Sequence, residues 1–98
     1  MTRDEALQRL RPCEAELRAS GLGALYLFGS TARGEATDES DVDLLFELGD
    51  APKFSLLDQC TIQVRLEELL NVSVDLVERD ALRPRIKARV EPELVRIF

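Results

Sequence analysis

From Asp41 to Leu48 the chain alternates with period two. Val42, Leu44, Phe46 and Leu48 fall on one face, and Asp41, Asp43, Leu45 and Glu47 on the other. That period is the signature of a β-strand, and it sets Asp41 and Asp43 side by side on one surface. Residues 72–77 alternate again, with Val72, Val74 and Leu76 opposite Asp75. Ala24-Leu25-Tyr26-Leu27-Phe28 is a continuous apolar run stopped by Gly29, which predicts a buried strand. A last short strand is expected near 94–97.

Helical spacing fills the intervals. Leu7, Leu10 and Leu17 among charges predict helix over roughly Arg3–Ser20, with Gly21 as its stop. Pro12 lacks the amide needed mid-helix, so it kinks this segment or begins a second piece. Residues 34–40 form a polar loop, and Asp50-Ala51-Pro52-Lys53 breaks the chain before a helix of roughly 54–70. That helix has a polar stripe at Asp58, Thr61, Arg65 and Glu68. It also has two apolar arcs: Ile62, Leu66, Leu69 and Leu70, then Leu57, Cys60 and Val64. One arc suffices to dock on a sheet. The second is expected against the N-terminal helix, with a partner protein as the alternative. A short helix near 84–90 completes the set. Val42-Asp43-Leu44-Leu45 resembles Val74-Asp75-Leu76-Val77, but without a third copy or fixed period it is no structural repeat. The fold class is α/β or α+β, a small mixed sheet flanked by helices.

Composition narrows the chemistry. At 98 residues the chain is expected to be one domain, 1–98, burying roughly two-thirds of its unfolded surface and leaving little for a separate acceptor-binding domain. The charged fraction of 33% beside 45% apolar residues is that of a globular chain, not a disordered one. No apolar stretch approaches a membrane span and no signal peptide is evident, so a cytoplasmic setting is expected. There is no histidine, which removes histidine bases, triads and zinc ligands. Cys13 and Cys60 match no metal spacing and are expected as buried, reduced thiols. The net charge of −6 divides into −9 over residues 1–78 and +3 over residues 79–98. An acidic body argues against direct nucleic-acid binding, which draws on phosphate neutralisation. The basic tail could face phosphates or an acidic protein, or be a solvated helix face.

Asp41, Asp43 and Asp75 on neighbouring strand positions would each resist ionising without compensation, and a divalent cation supplies it. Magnesium suits oxygen ligands shared with substrate phosphates, and two such ions can serve in-line displacement at phosphorus. Gly29-Ser30 supplies the complement. Glycine lets backbone approach a phosphate, the following helical turn aims free amides at it, and the Ser30 hydroxyl can add a hydrogen bond. Arg33, one turn later, can offset the charge of a triphosphate or pyrophosphate. Each piece alone reads as an ordinary turn, surface charge or solvated strand face. Their order and shared strand phase make the set specific.

Gly29-Ser30-Thr31-Ala32-Arg33-Gly34, Ser40-Asp41-Val42-Asp43-Leu44-Leu45 and Val74-Asp75-Leu76-Val77-Glu78 resemble the minimal nucleotidyltransferase (MNT) family of the DNA polymerase beta superfamily. The likeness extends through Arg85-Ile86-Lys87-Ala88-Arg89-Val90 and Val95-Arg96-Ile97-Phe98, with every element of the motif present. The resemblance implies a polymerase beta-like palm fold. Asp41 and Asp43 would bind magnesium and triphosphate, Asp75 would bind the catalytic metal and help deprotonate the acceptor hydroxyl, and Gly29 and Ser30 would hold phosphates.

It further implies transfer of AMP from ATP to a hydroxyl. Family members of this length resemble antitoxins that adenylylate a tyrosine of a helical HEPN ribonuclease toxin. Two alternatives stay open. One is a nucleotidyltransferase subunit that modifies a small aminoglycoside-like acceptor held by a helical partner. The other is a non-enzymatic module that neutralises a toxin by contact alone. Tyr26, in a buried strand, is expected in the core, and Phe28, Phe46, Phe54 and Phe98 are too scattered for a base-stacking platform.

Overall fold

The computed structural model describes residues 1–37, 39–50 and 53–98. Helix α1 (Arg3–Leu10) starts with the Thr2 hydroxyl accepting from the Glu5 amide at 3.1 Å. Pro12 then lies in a 3-10 turn, Arg11–Cys13, that hands over to α2 (Glu14–Ala19). The expected single helix is therefore two pieces divided at the proline. Gly21 ends α2 with φ 119°, a backbone angle that favours glycine. Strand β1 (Leu22–Phe28) begins two residues earlier than the apolar run suggested.

A short helix, α3 (Gly29–Arg33), follows at once, and β2 (Val42–Leu48) succeeds the polar loop. The break at Asp50–Lys53 was expected to separate β2 from the next helix; Ala51 and Pro52 lie outside the described residues. Helix α4 (Leu56–Leu70) opens on a capping box, in which Ser55 and Asp58 satisfy each other's backbone amides. It closes on Asn71 at φ 56°. Strand β3 (Val74–Glu78), α5 (Pro84–Val90) and the two-residue β4 (Val95–Arg96) complete the chain. Pro84 occupies the first position of α5, where its missing amide costs nothing.

The strands form one mixed sheet in the order β3-β2-β1-β4. β1 runs antiparallel to both β2 and β4, and β2 is parallel to β3 through the α4 crossover. A mixed sheet with helices is the expected class. Its rear face packs Val42, Leu44, Phe46, Val74 and Leu76 against Ile62, Leu66 and Leu70 of α4 and Ala6 and Leu10 of α1. Gln59 and Gln63 tie α4 to the β3 edge by donating to the Leu76 and Val74 carbonyls at 3.2 and 3.1 Å. Leu48, expected with this face, is 42% exposed because it lies at the strand's far end. On the front face Leu45 is fully buried between Tyr26 and Val77 in the register.

The second apolar arc of α4 is corrected by the structure. Leu57, Cys60 and Val64 do not meet the N-terminal helices but face outward, Leu57 at 75% exposure and Val64 at 55%. The N-terminal segment approaches α4 along other flanks. Arg65 of the polar stripe pairs with Glu16 at 2.9 Å, and Arg9 donates to the Leu70 carbonyl at 2.9 Å. The expectation of two buried thiols fails for the same reason: Cys60 is exposed, while Cys13 is half-buried against the Arg9 carbonyl.

Candidate active site

Pairing register brings the singled-out residues to one end of the sheet. Phe28, the last residue of β1, pairs with Asp43, and Asp43 pairs across the parallel ladder with Asp75. Gly29 follows directly from Phe28, and Asp41 sits one residue ahead of β2. Because alternate side chains project to opposite faces, Asp43 and Asp75 share the front face while α4 covers the rear. Asp43 is half-buried, and Asp41 and Asp75 are exposed.

Gly29 has φ +72°, and a Cβ placed on it would lie 2.1 Å from Asp43 Oδ2. The turn therefore meets the carboxylate with bare backbone, a contact no larger residue permits. Phe28 provides no side-chain cap, so the opening amides of α3 keep their donor capacity in the site. At the other end Gly34 adopts a left-handed conformation, and the Glu35 amide donates back to the Ser30 carbonyl at 2.9 Å. Thr31 between them is buried, and its hydroxyl has no hydrogen-bond partner among the described residues.

Electrostatics follow from this crowding. Burial pushes the Asp43 carboxyl above its ordinary value, the negative charges of Asp75 and Asp41 push further, and Arg33 opposes them. Among the described residues none of these acids is in an ion pair. Nor is any group of three or more acids or thiols among the described residues drawn tightly enough to grip a metal ion. The donor set is nevertheless all carboxylate oxygen, unpaired and gathered at one strand end, which fits a hard divalent cation.

Arg33 is exposed yet anchored. Its guanidinium donates to Glu35 at 3.1 Å and to Glu93 at 3.2 Å, and these two carboxylates raise its pKa. Glu93 escaped the sequence reading because it lies sixty positions away, on the 3-10 turn Glu91–Glu93 that precedes β4. Arg79 was also missed as a structural residue. It bridges Glu47 and Glu91 and lies over the Tyr26 ring at 5.5 Å, with Arg96 over the same ring at 5.8 Å. Tyr26 is thus half-buried under two guanidinium groups rather than sealed in the core. The basic segment is therefore partly structural, whereas Arg83, Arg85 and Arg89 stay exposed. No helix is long and apolar enough to cross a membrane among the described residues.

Comparison with known proteins agrees with this geometry. Residues 8–97 match the family model described as nucleotidyltransferase domain. The protein adenylyltransferase MntA of Thermococcus cleftensis is 38% identical over 96 residues, covering 97% of this chain and 95% of the relative. The solved structure of a minimal nucleotidyltransferase superposes with a TM-score of 0.79 at 36% identity, covering 97% of this chain and 95% of that one. A solved complex of an MNT antitoxin with a tri-AMPylated HEPN toxin of Shewanella oneidensis shares the fold, with a TM-score of 0.66 at 20% identity over 94% of this chain and 71% of that one. The chain belongs to the nucleotidyltransferase domain family, among its minimal nucleotidyltransferases, and is an enzyme of that class.

Proposed function

We propose that this chain transfers AMP from ATP to a tyrosine hydroxyl of a cognate helical HEPN ribonuclease toxin and so acts as its antitoxin. The observation that carries the reading is the contact between the Gly29 turn and Asp43, with Asp75 beside Asp43 in register. A phosphate-approachable backbone and a carboxylate cluster thereby adjoin each other. The MntA relative and the toxin complex, each by its name, support the choice of AMP and of a protein acceptor.

In this reading the Gly29 and Ser30 amides and the Ser30 hydroxyl bind triphosphate oxygens, and Arg33 offsets their charge from the far end of α3. Asp41, Asp43 and Asp75 would hold magnesium, two ions being expected, which when bound neutralises phosphate charge and lowers the pKa of a coordinated hydroxyl. The tyrosine oxygen attacks the α-phosphorus as the bond to pyrophosphate breaks, and Asp75 accepts the hydroxyl proton. The front face carries few apolar residues beyond Tyr26, Phe28, Leu45 and Val77. The acceptor's shape must therefore come from the toxin.

The test is incubation with α-labelled ATP, magnesium and the cognate toxin, following label on the toxin and release of pyrophosphate. Asp41→Asn/Asp43→Asn should lower labelling by roughly a thousandfold or more, as expected for removing metal-binding carboxylates. A double variant that labels as well as the wild type would remove the proposal.

A further inference from the structure

Helix α5 buries no side chain, unlike the other α-helices among the described residues. Only Lys87 and Val90, on one side of it, are partly covered. Arg85 and Arg89 stand on the opposite side, four residues apart, and Arg83 immediately precedes the helix; all three are exposed. Like charges at that spacing repel across a helical turn. No acid stands in the first turn, where the helix dipole favours one. The chain thus carries a cationic edge that its own fold leaves uncompensated.

The acids of the same segment are already engaged. Asp80 faces Lys87 at 3.9 Å, Glu91 takes Arg79 at 3.0 Å and Glu93 takes Arg33 at 3.2 Å. Glu78 shares the rear phase of β3 with Val74 and Leu76. Arg83, Arg85 and Arg89 have no ion pair among the described residues. They are not counter-ions of the acid site either, since Arg33 is the cation that acts on Asp43.

Position identifies what they meet. The Arg79–Glu91 pair closes the base of the loop that carries α5, and Arg79 lies over Tyr26 on the front of the sheet. Tyr26 is two residues, about 7 Å of strand, from Phe28, the register partner of Asp43. Helix α5 therefore stands on the side where Asp43 and Asp75 are open, while α4 covers the other. A protein that brings a hydroxyl to these acids passes beside α5. A nucleic acid is the poorer occupant. Phosphates laid along α5 and onward over the front face would meet three uncompensated carboxylates, on a chain of net charge −6. Discrete carboxylates on a folded partner avoid that conflict.

We propose that Arg83, Arg85 and Arg89 dock an acidic patch on the acceptor protein, set beside the hydroxyl that is modified; the choice of a protein acceptor rests on the transferase reading. The front face has few apolar residues to grip a partner. Charge at α5 therefore speeds the encounter and fixes the orientation in which the acceptor meets the acids.

Binding of the cognate HEPN toxin to the full chain, measured by calorimetry in chelator without nucleotide, tests this apart from catalysis. Affinity should fall roughly tenfold between about 0.05 and 0.3 M salt. Arg85→Glu/Arg89→Glu should weaken it roughly a hundredfold, and Arg85→Lys/Arg89→Lys should hold it within about fivefold. Both positions are exposed, so the Tm of either variant should stay within about 2 °C of the wild type. A zero-length carbodiimide should then join the lysine variant to aspartates or glutamates of the toxin. Toxin that binds through the arginines yet takes no label supports this inference and sinks the transferase reading alone. Equal affinity of the wild type and the charge-reversed variant overturns the inference even where labelling proceeds, as does a carbodiimide product without toxin. A wild type that binds no toxin overturns both. An affinity for single-stranded RNA that exceeds the affinity for toxin, and that disappears on charge reversal, assigns the arginines to nucleic acid and overturns the inference as well.

Discussion

Behind the sheet, Val42, Leu44, Val74 and Leu76 are shut away at 5% exposure or less. In front, Asp41, Asp43 and Asp75 alternate with them along the same strands, half-buried or open, with no ion-pair partner among the described residues. One face secures the fold and the other gathers charge that the fold does not neutralise. The period of two keeps these tasks a single residue apart, so substitutions should separate them cleanly. Leu44→Ala should cost about 3 kcal/mol and lower the Tm by more than about 10 °C in thermal unfolding. Asp75→Asn, at an exposed position, should leave the Tm within about 2 °C while labelling collapses. If the leucine variant unfolds no earlier than the aspartate variant, the division between the faces is wrong.

The two left-handed glycines flanking α3 sharpen the contrast within the front face. Gly29 and Gly34 have nearly equal φ, +72° and +76°, but a Cβ on Gly34 would meet nothing within 4 Å. Gly34→Ala therefore carries only backbone strain, about 1 kcal/mol, and should retain activity. Gly29→Ala carries the same strain and must also push Asp43 aside. It should cost about 2 kcal/mol in urea unfolding and remove most of the activity. Equal activity in the two variants would show that contact between the turn and Asp43 is incidental.

These contrasts were legible in the chain because they are local. Alternation of Val42, Leu44 and Phe46 with Asp43 and Glu47 set the phase of β2, and Gly29 marked the end of β1. Pro12 marked the division of the first helix for the same reason, the chemistry of one residue. What escaped depends on how elements approach one another. The Leu57, Cys60 and Val64 arc has the periodicity of a packed face, and nothing in its spacing reveals that α1 and α2 reach α4 elsewhere. Glu93 resembles any surface acid until the return of the chain to β4 brings it to Arg33. That the Thr31 hydroxyl finds no partner among the described residues was likewise invisible, since threonine in a helical turn ordinarily reaches a carbonyl.

The Arg33–Glu93 contact gives a smaller effect. Both side chains are about two-fifths exposed, so the pair contributes little to stability. Its consequence should appear in nucleotide binding, because Glu93 anchors the guanidinium that we propose meets the phosphates. Glu93→Gln should shift unfolding by less than about 0.5 kcal/mol and raise the KM for ATP roughly threefold with kcat little changed. A loss confined to kcat would instead mean that the C-terminal segment acts on the chemical step and not on nucleotide capture.

The smallest expected effect reports the uncompensated charge itself. Asp43 has its carboxyl raised by burial and then by Asp75 and Asp41, so the fold binds the acid's proton more tightly than the unfolded chain does. The stability contributed by that group is fully present below its unfolded value and is lost as pH rises through the raised folded value. At pH 7 the ionised side chain therefore opposes folding, and Asp43→Asn should be the more stable protein in chelator. Because Asp43 is only half-buried and its neighbours Asp41 and Asp75 are exposed, solvent screens the penalty, and the gain should be a few tenths of a kcal/mol, about 2 °C in Tm. It should vanish below about pH 3.5, where the aspartate is protonated in both states. Magnesium should reverse the order at pH 7, stabilising the wild type above the variant, because the charge that opposes folding alone is the charge proposed to hold the ion. An asparagine variant that is less stable at pH 7 in chelator would mean that the front-face acids are compensated within the protein, and the contrast between the faces would lose its electrostatic basis.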